Sequence, residues 1–285
     1  MSPTRLIITA DDFGADVAVN EAVEQAHRQG VLTAASLMVG APGAADAVVR
    51  ARALPSLAVG LHLVLVEGRP ILPPDQVSHL VDSTGCFRTD MAMAGATMFF
   101  HPVARRQLAA EIAAQFAAFA ATGLPLDHVN AHKHFHLHPT IAGLILKLGA
   151  RHGLRSARSP VEPDRSLKAV EPATVVARFS PFNLMARGLR ARFRGAGVSV
   201  PDQVFGLRWS GAMTTARLCG LIDALPEGLS EIYLHPAAAD SYPGSAPGYA
   251  YVEELAALLA PEARAAIRRR NILTGGFTAL RSVTL

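Results

Sequence analysis

Short runs of aliphatic and β-branched residues alternate along this chain with longer stretches whose apolar positions recur every three or four residues. RLIITA is followed by VAVNEAVEQAHRQG, AASLMVG by GAADAVVRARAL, and LDHVNAH by PTIAGLILKLGARHG. LAVGLHL is a further apolar run, and EIYLHP and NILTGG add two more near the end. Runs of this kind suit parallel strands buried on both faces, and the helical stretches between them supply the crossovers. About seven or eight such strands make an α/β fold of the distorted (β/α) TIM-like barrel kind, with an open doubly wound sheet as the alternative.

The segment from Arg105 to Thr122 has helical spacing and ends at Gly123 followed by Pro125, which predicts a core-facing helix. No repeat of solenoid period is visible. Two stretches break the alternation. Residues 67–102 are rich in Pro, Gly and Met, and residues 163–200 carry seven Lys or Arg against two acids. Both read as long loops inserted into a single domain spanning residues 1–285, and loops of that length usually serve as lids or binding rims.

Composition narrows the class. At 285 residues with 50% hydrophobic and 18% charged residues, the chain can bury one large core. Its two cysteines, Cys86 and Cys219, lie far apart without CxxC spacing, which argues against a disulfide framework or a thiolate zinc site and for a reducing compartment. The N-terminal apolar run is too short for a secretion signal and no run reaches membrane-spanning length, so a cytoplasmic protein is expected. A net charge of +4 without interleaved aromatic and basic residues does not describe a nucleic-acid binder.

Ligands meet α/β sheets at the C-terminal ends of the strands, and several chemically competent residues fall there. Asp11 and Asp12 stand side by side at the end of the first run. Helix capping does not require either, because Asp16 is available for it. His62 closes a second run. The string HVNAHKHFHLHP carries His128, His132, His134, His136 and His138. In extended conformation the last four share a face at roughly 7 Å intervals, too far apart for all to hold one ion. If the strand stops near His132, the later ones lie on a loop. One carboxylate and two neutral imidazoles from separate strand ends form a three-ligand site with room for water, while the neighbouring aspartate stays free to accept a proton. The cation also offsets the repulsion between the paired carboxylates. His235, before a proline at another strand end, is placed to donate a proton across such a site. Arg158 in LRSARSP is a candidate for binding the substrate or for orienting Asp11.

With ITADDFG, the downstream NEAV, VGLHLVLVEGRP, HVNAHKHFHLHP and YLHP in place, the chain resembles the YdjC-like family of carbohydrate N-deacetylases over residues 6 to about 236. The resemblance implies Asp11 as catalytic base, Asp12, His62 and His132 as ligands of one divalent metal ion such as zinc or magnesium, a distorted barrel, and frequent homodimers. Where the family often has Asp, this chain has Asn130, which removes a carboxylate beside a metal ligand. LHLVLVEGRPILPP and LVDSTGCFRTD most resemble the hopanoid-biosynthesis-associated, HpnK-like branch, which implies an N-acetylglucosaminyl hopanoid as substrate. A lipid substrate gives FNLMARGLRARFR a role. Phe182, Met185, Leu189 and Phe193 recur at near-helical spacing among Arg187, Arg190, Arg192 and Arg194, a pattern suited to peripheral contact with an anionic inner membrane; a core-packed face is the plainer reading. Against hydrolytic deacetylation stand a barrel phosphoesterase or amidohydrolase, and a carbohydrate- or metal-binding protein with no need of a free Asp11.

Overall fold

The computed structural model describes residues 3–174 and 181–281. Seven parallel strands among the described residues form one sheet: β1 (Thr4–Phe13), β2 (Ala34–Leu37), β3 (Ala58–Leu63), β4 (Val129–Ala131), β5 (Gln203–Phe205), β6 (Gly228–Leu234) and β7 (Leu273–Thr274). Helices α1 (Val17–Gln29), α2 (Ala44–Arg52), α3 (Met91–Phe100), α4 (Pro102–Ala121) and α5 (Pro139–Gly149) flank its first half. The second half carries α6 (Asp164–Val170), α7 (Pro181–Gly195), α8 (Thr215–Asp223), α9 (Tyr251–Leu259), α10 (Pro261–Arg269) and α11 (Phe277–Leu280).

The strand order is β4-β3-β2-β1-β6-β5, with β7 also paired to β1. Thr4–Ala10 of β1 lie opposite Gly228–Leu234 of β6 in unbroken register. The sheet curls into a half-barrel, and residues 155–161 span the space between its two ends. Ala157 bridges Val129 and Ser156 bridges Ser199, while Val161 O accepts a hydrogen bond from the Val204 amide on β5. The sequence-expected distorted barrel is therefore the fold. No helix among the described residues is long and apolar enough to cross a membrane.

The expected helix over 105–122 is α4, begun by Pro102 at its first position and ended before Gly123, whose φ of +71° is left-handed. The stretches expected as inserted loops carry helices within them. Residues 67–102 contain α3, capped by Asp90 on the Met93 amide, and residues 163–200 contain α6 and α7; positions 175–180 lie outside the described residues. The Pro and Gly content hid an apolar helix, because Met, Ala and Phe over residues 91–100 form helix readily without a polar face to reveal it.

Gly60 on β3 shows how tightly the layers are set. A Cβ there would lie 2.5 Å from the ring of His128, which is itself stacked on Phe277 at 4.0 Å. We expect Gly60→Ala to cost about 2–3 kcal/mol by overpacking, measured by urea unfolding; a loss under roughly 0.5 kcal/mol would show that the ring has somewhere to go.

Candidate active site

Strand β1 runs through both aspartates, and its register with β2 breaks between Ala10 and Phe13. Asp12 takes φ +61°, a left-handed conformation that aspartate tolerates better than most residues. Gly14 follows at φ +94°, and its amide is held by Asn20 Oδ1 at 2.8 Å. Asn20 Nδ2 in turn donates to Gly43 O and Asp46 Oδ2, both at 2.9 Å, so the asparagine of NEAV fastens the turn behind the aspartates. Asp16 caps α1 through the Ala18 amide, as its position suggested.

The kink turns the two carboxylates toward different partners. Asp12 Oδ1 lies 3.3 Å from His62 Nε2 and 3.3 Å from His132 Nδ1. One donor atom from each of the three residues lies within 4.8 Å of the others, a triangle that admits a divalent ion at about 2.0–2.2 Å from each. His62 Nδ1 donates to Asn130 Oδ1 at 2.7 Å, which leaves Nε2 as a bare lone pair. That nitrogen is buried and makes no hydrogen bond although it faces Asp12. Two acceptors facing one another in a buried site fit a cation between them. Where the resemblance leads us to expect a carboxylate, the Asn130 amide oxygen orients the His62 imidazole.

Burial alone would lower the His132 imidazolium, but Asp12 and then Glu67 outweigh it and push His132 up to about 9 in the metal-free chain. Burial would likewise raise Asp12, yet His132 holds its carboxyl well below the usual range. Beyond His132 the backbone turns sharply, with Lys133 at φ +51° and His134 at φ +54°. The later histidines therefore leave the strand face. His134 Nε2 pairs with Tyr233 Oη at 2.9 Å, His136 is buried, and His138 Nε2 bonds Gly95 O at 3.1 Å.

Asp11 faces the other way. Its Oδ2 accepts from Arg158 Nη1 at 2.5 Å, and its Oδ1 from Arg158 Nη2 at 3.0 Å and Asn130 Nδ2 at 3.1 Å. Burial pushes this carboxyl up; the Arg158 guanidinium outweighs burial and holds it well below the ordinary carboxylate range. Arg158 is 0% exposed. It also reaches Glu231 Oε1 through Nη2 at 2.6 Å and Nε at 2.9 Å, and lies 4.3 Å over the Tyr233 ring. The expectation that Arg158 binds substrate is corrected by this burial: no edge of the guanidinium is left for a sugar, and its partner is Asp11.

Asp11, Asp12, His62, His132, Tyr233 and His235 line one cavity of about 580 Å³, the scale of a small-ligand site. His235 follows the last residue of β6, and its ring stands 5.7 Å from that of Tyr233 and 5.3 Å from that of Tyr249. Glu231, Tyr233 and Glu67 were not singled out in the sequence. Glu231 carried a usable signal, a carboxylate in the middle of a strand otherwise buried on both faces.

A family model for YdjC-like proteins matches residues 5–269. The chain belongs to the YdjC-like family. A carbohydrate deacetylase of Geobacillus stearothermophilus is 31% identical over 274 residues, 95% of each chain. One from Brevibacillus brevis is 40% identical over 148 residues, which span 52% of this YdjC-like chain and 56% of that protein. A crystal structure from Enterococcus faecalis V583, described there as a proposed cellobiose-phosphate cleavage protein, superposes with a TM-score of 0.77 at 28% identity. That match covers 99% of this chain and all of the other.

Proposed function

We propose that this chain is a metal-dependent N-deacetylase that hydrolyses the acetamide of an N-acetylglucosaminyl group. The observation that carries the reading is the bare, buried Nε2 of His62 facing Asp12 beside a second carboxylate, Asp11, that the triad does not use. Relatives described as carbohydrate deacetylases support the substrate class.

Asp12, His62 and His132 would hold the ion, zinc or magnesium, which when bound polarises the acetyl carbonyl and acidifies the attacking water. Asp11 takes the proton as water oxygen adds to the acetyl carbon, and Arg158 and Asn130 hold its carboxylate in place for that transfer. The carbon–nitrogen bond then breaks. His235 hands a proton to the departing amine nitrogen, and acetate and the free amino sugar are the products.

For the aglycone we propose a lipid, an N-acetylglucosaminyl hopanoid. Supporting it, an apolar groove of about 470 Å³ lined by Met91, Phe99, Phe135 and Met185 shares Lys133, His134 and Phe182 with the catalytic cavity. Exposed Met185 of that groove, with exposed Phe100 and Leu184 next in sequence to its lining residues Phe99 and Met185, would serve as a peripheral membrane contact. Two residues of the apolar set read from the sequence do not belong to that contact. Leu189 and Phe193 are buried in the core, and Arg190 and Arg194 are tied to Asp202 and Arg192 to Pro139 O. A soluble chitooligosaccharide is the second reading, favoured by a cavity of about 760 Å³ that shares Asp12, Glu67 and His132 and extends to Ile71 and Phe87.

Acetate release from N-acetylglucosaminyl lipid in vesicles, compared with soluble chitooligosaccharides, each with and without chelator, tests these statements. Faster release from the lipid, abolished by chelator, is expected. Faster release from soluble sugars overturns the lipid assignment, and chelator-resistant release overturns the metal.

A further inference from the structure

His128, on the strand-end motif, does not reach the catalytic cavity, yet it is 0% exposed and fully bonded. Its Nδ1 lies 3.0 Å from Asp127 Oδ2, and its Nε2 lies 2.9 Å from Ser36 Oγ. This is the connectivity of a nucleophilic Ser-His-Asp triad. Ser36, however, is 0% exposed and lines none of the three cavities described above, so no substrate can meet its hydroxyl. The chain of bonds continues inward instead: Asn130 Nδ2 donates to Ser36 Oγ at 2.9 Å, and Asn130 Oδ1 accepts from His62.

The direction of every proton in this chain follows from its outer end. Asp127 is a carboxylate and can only accept; it also takes the Phe277 and Thr278 amides at 3.0 and 2.8 Å. His128 must therefore donate from Nδ1, and a neutral ring then accepts at Nε2. Ser36 must give its one proton to that nitrogen, which leaves its oxygen lone pairs for Asn130. The Asn130 amide nitrogen is thereby turned to Ser36, its oxygen is turned to His62, and His62 must carry its proton on Nδ1. Asn130 has a second anchor, since its nitrogen also donates to Asp11. Asp11 is the group the reaction draws on, whereas Ser36 takes no part in it.

We infer that Ser36, His128 and Asp127 form a positioning relay that keeps Asn130, and through it the bare Nε2 of His62, in one orientation independently of Asp11. The relay rests on the proposed metal site for its purpose but not for its geometry. Gly60 supplies the space for the His128 ring, and the Phe277 ring stacks on it, so the relay is anchored to the C-terminal helix α11.

A double-variant cycle separates the two anchors. Four proteins labelled with ¹⁵N-histidine are compared: wild type, Ser36→Ala, Asp11→Ala, which removes the acceptor, and the combination. In each metal-free protein the His62 ring nitrogens are read by long-range ¹H–¹⁵N correlation, and zinc affinity is measured by competition with a chromophoric chelator. Each single variant keeps one anchor and is expected to retain the Nδ1–H form. The combination is expected to show both tautomers and to lose about 10–100-fold in zinc affinity beyond the product of the single effects, and Asp11→Ala with Ser36→Thr, which keeps a hydroxyl, is expected to recover the loss. Multiplicative effects with His62 unchanged, or a loss that threonine does not rescue, overturn the relay. If the wild-type chain takes up neither zinc nor magnesium, the proposed function fails, while the ring-nitrogen spectra still decide the relay.

Discussion

Asp11→Asn is expected to lower turnover about 10³-fold while zinc remains bound. The geometry gives the reason. Asp12, not Asp11, shares the triangle with His62 and His132, so an amide at position 11 leaves all three donor atoms in place. It does remove the oxygen charge that accepts the water proton. Asparagine keeps the shape and can still accept a hydrogen bond from Arg158, so the chain should fold. The comparison to make is kcat for acetate release against zinc stoichiometry on the same preparation. A carbohydrate- or metal-binding protein has no use for a second carboxylate beside its ligands, and in that case sugar and zinc binding would both survive the change with no turnover to lose. Loss of zinc in this variant, by contrast, would mean that the two aspartates have exchanged roles.

The same pair of residues shows how far the sequence could be read. The alternation of apolar runs with helical stretches was enough for a parallel α/β sheet, with a barrel ahead of an open doubly wound sheet, because parallel strands buried on both faces leave a pattern that needs no tertiary information. The strand-end rule then picked out Asp11, Asp12, His62 and His235, all of which line one cavity. It could not show which aspartate faces which way. That depends on the left-handed φ of Asp12 and on the break in register with β2, neither of which has a residue-type signature as firm as glycine. His132 was distinguished from its alternating neighbours only by the turn at Lys133 and His134, again an unusual backbone at ordinary residues. Asn130 looked like a loss, a carboxylate replaced by an amide. Its value depends on what its two ends touch, His62 at one and Ser36 and Asp11 at the other, and such long-range pairings have no local trace. Arg158 was placed at the site with two roles open, binding the sugar or orienting Asp11, because its complete burial between two acids was not visible from LRSARSP.

That burial sets up the largest expected effect on stability. Arg158→Leu should destabilise the fold by about 3–5 kcal/mol near neutral pH, since it strands Asp11 and Glu231 as buried charges without a counterion. Losses of that size are a large share of the roughly 5–15 kcal/mol typical of a folded domain. The pH dependence is the more specific signature. In the wild type, Asp11 is held below its unfolded value of 3.8, so its contribution is present above about pH 4 and declines as pH falls through the depressed folded value. Without Arg158, burial is no longer outweighed, and the folded Asp11 carboxyl rises above its unfolded value. Its contribution is then fully present below pH 3.8 and is lost as pH climbs through the raised value. His132, held up, and His134 and His136, held down, give both proteins a slope of their own in this range, so urea unfolding at about pH 5 and pH 7.5 should show Arg158→Leu gaining more, or losing less, stability toward acid than the wild type. Parallel slopes in the two proteins would mean that Asp11 finds another counter-charge when the guanidinium is gone, and that Arg158 is less necessary to the base than its four hydrogen bonds to the two carboxylates suggest.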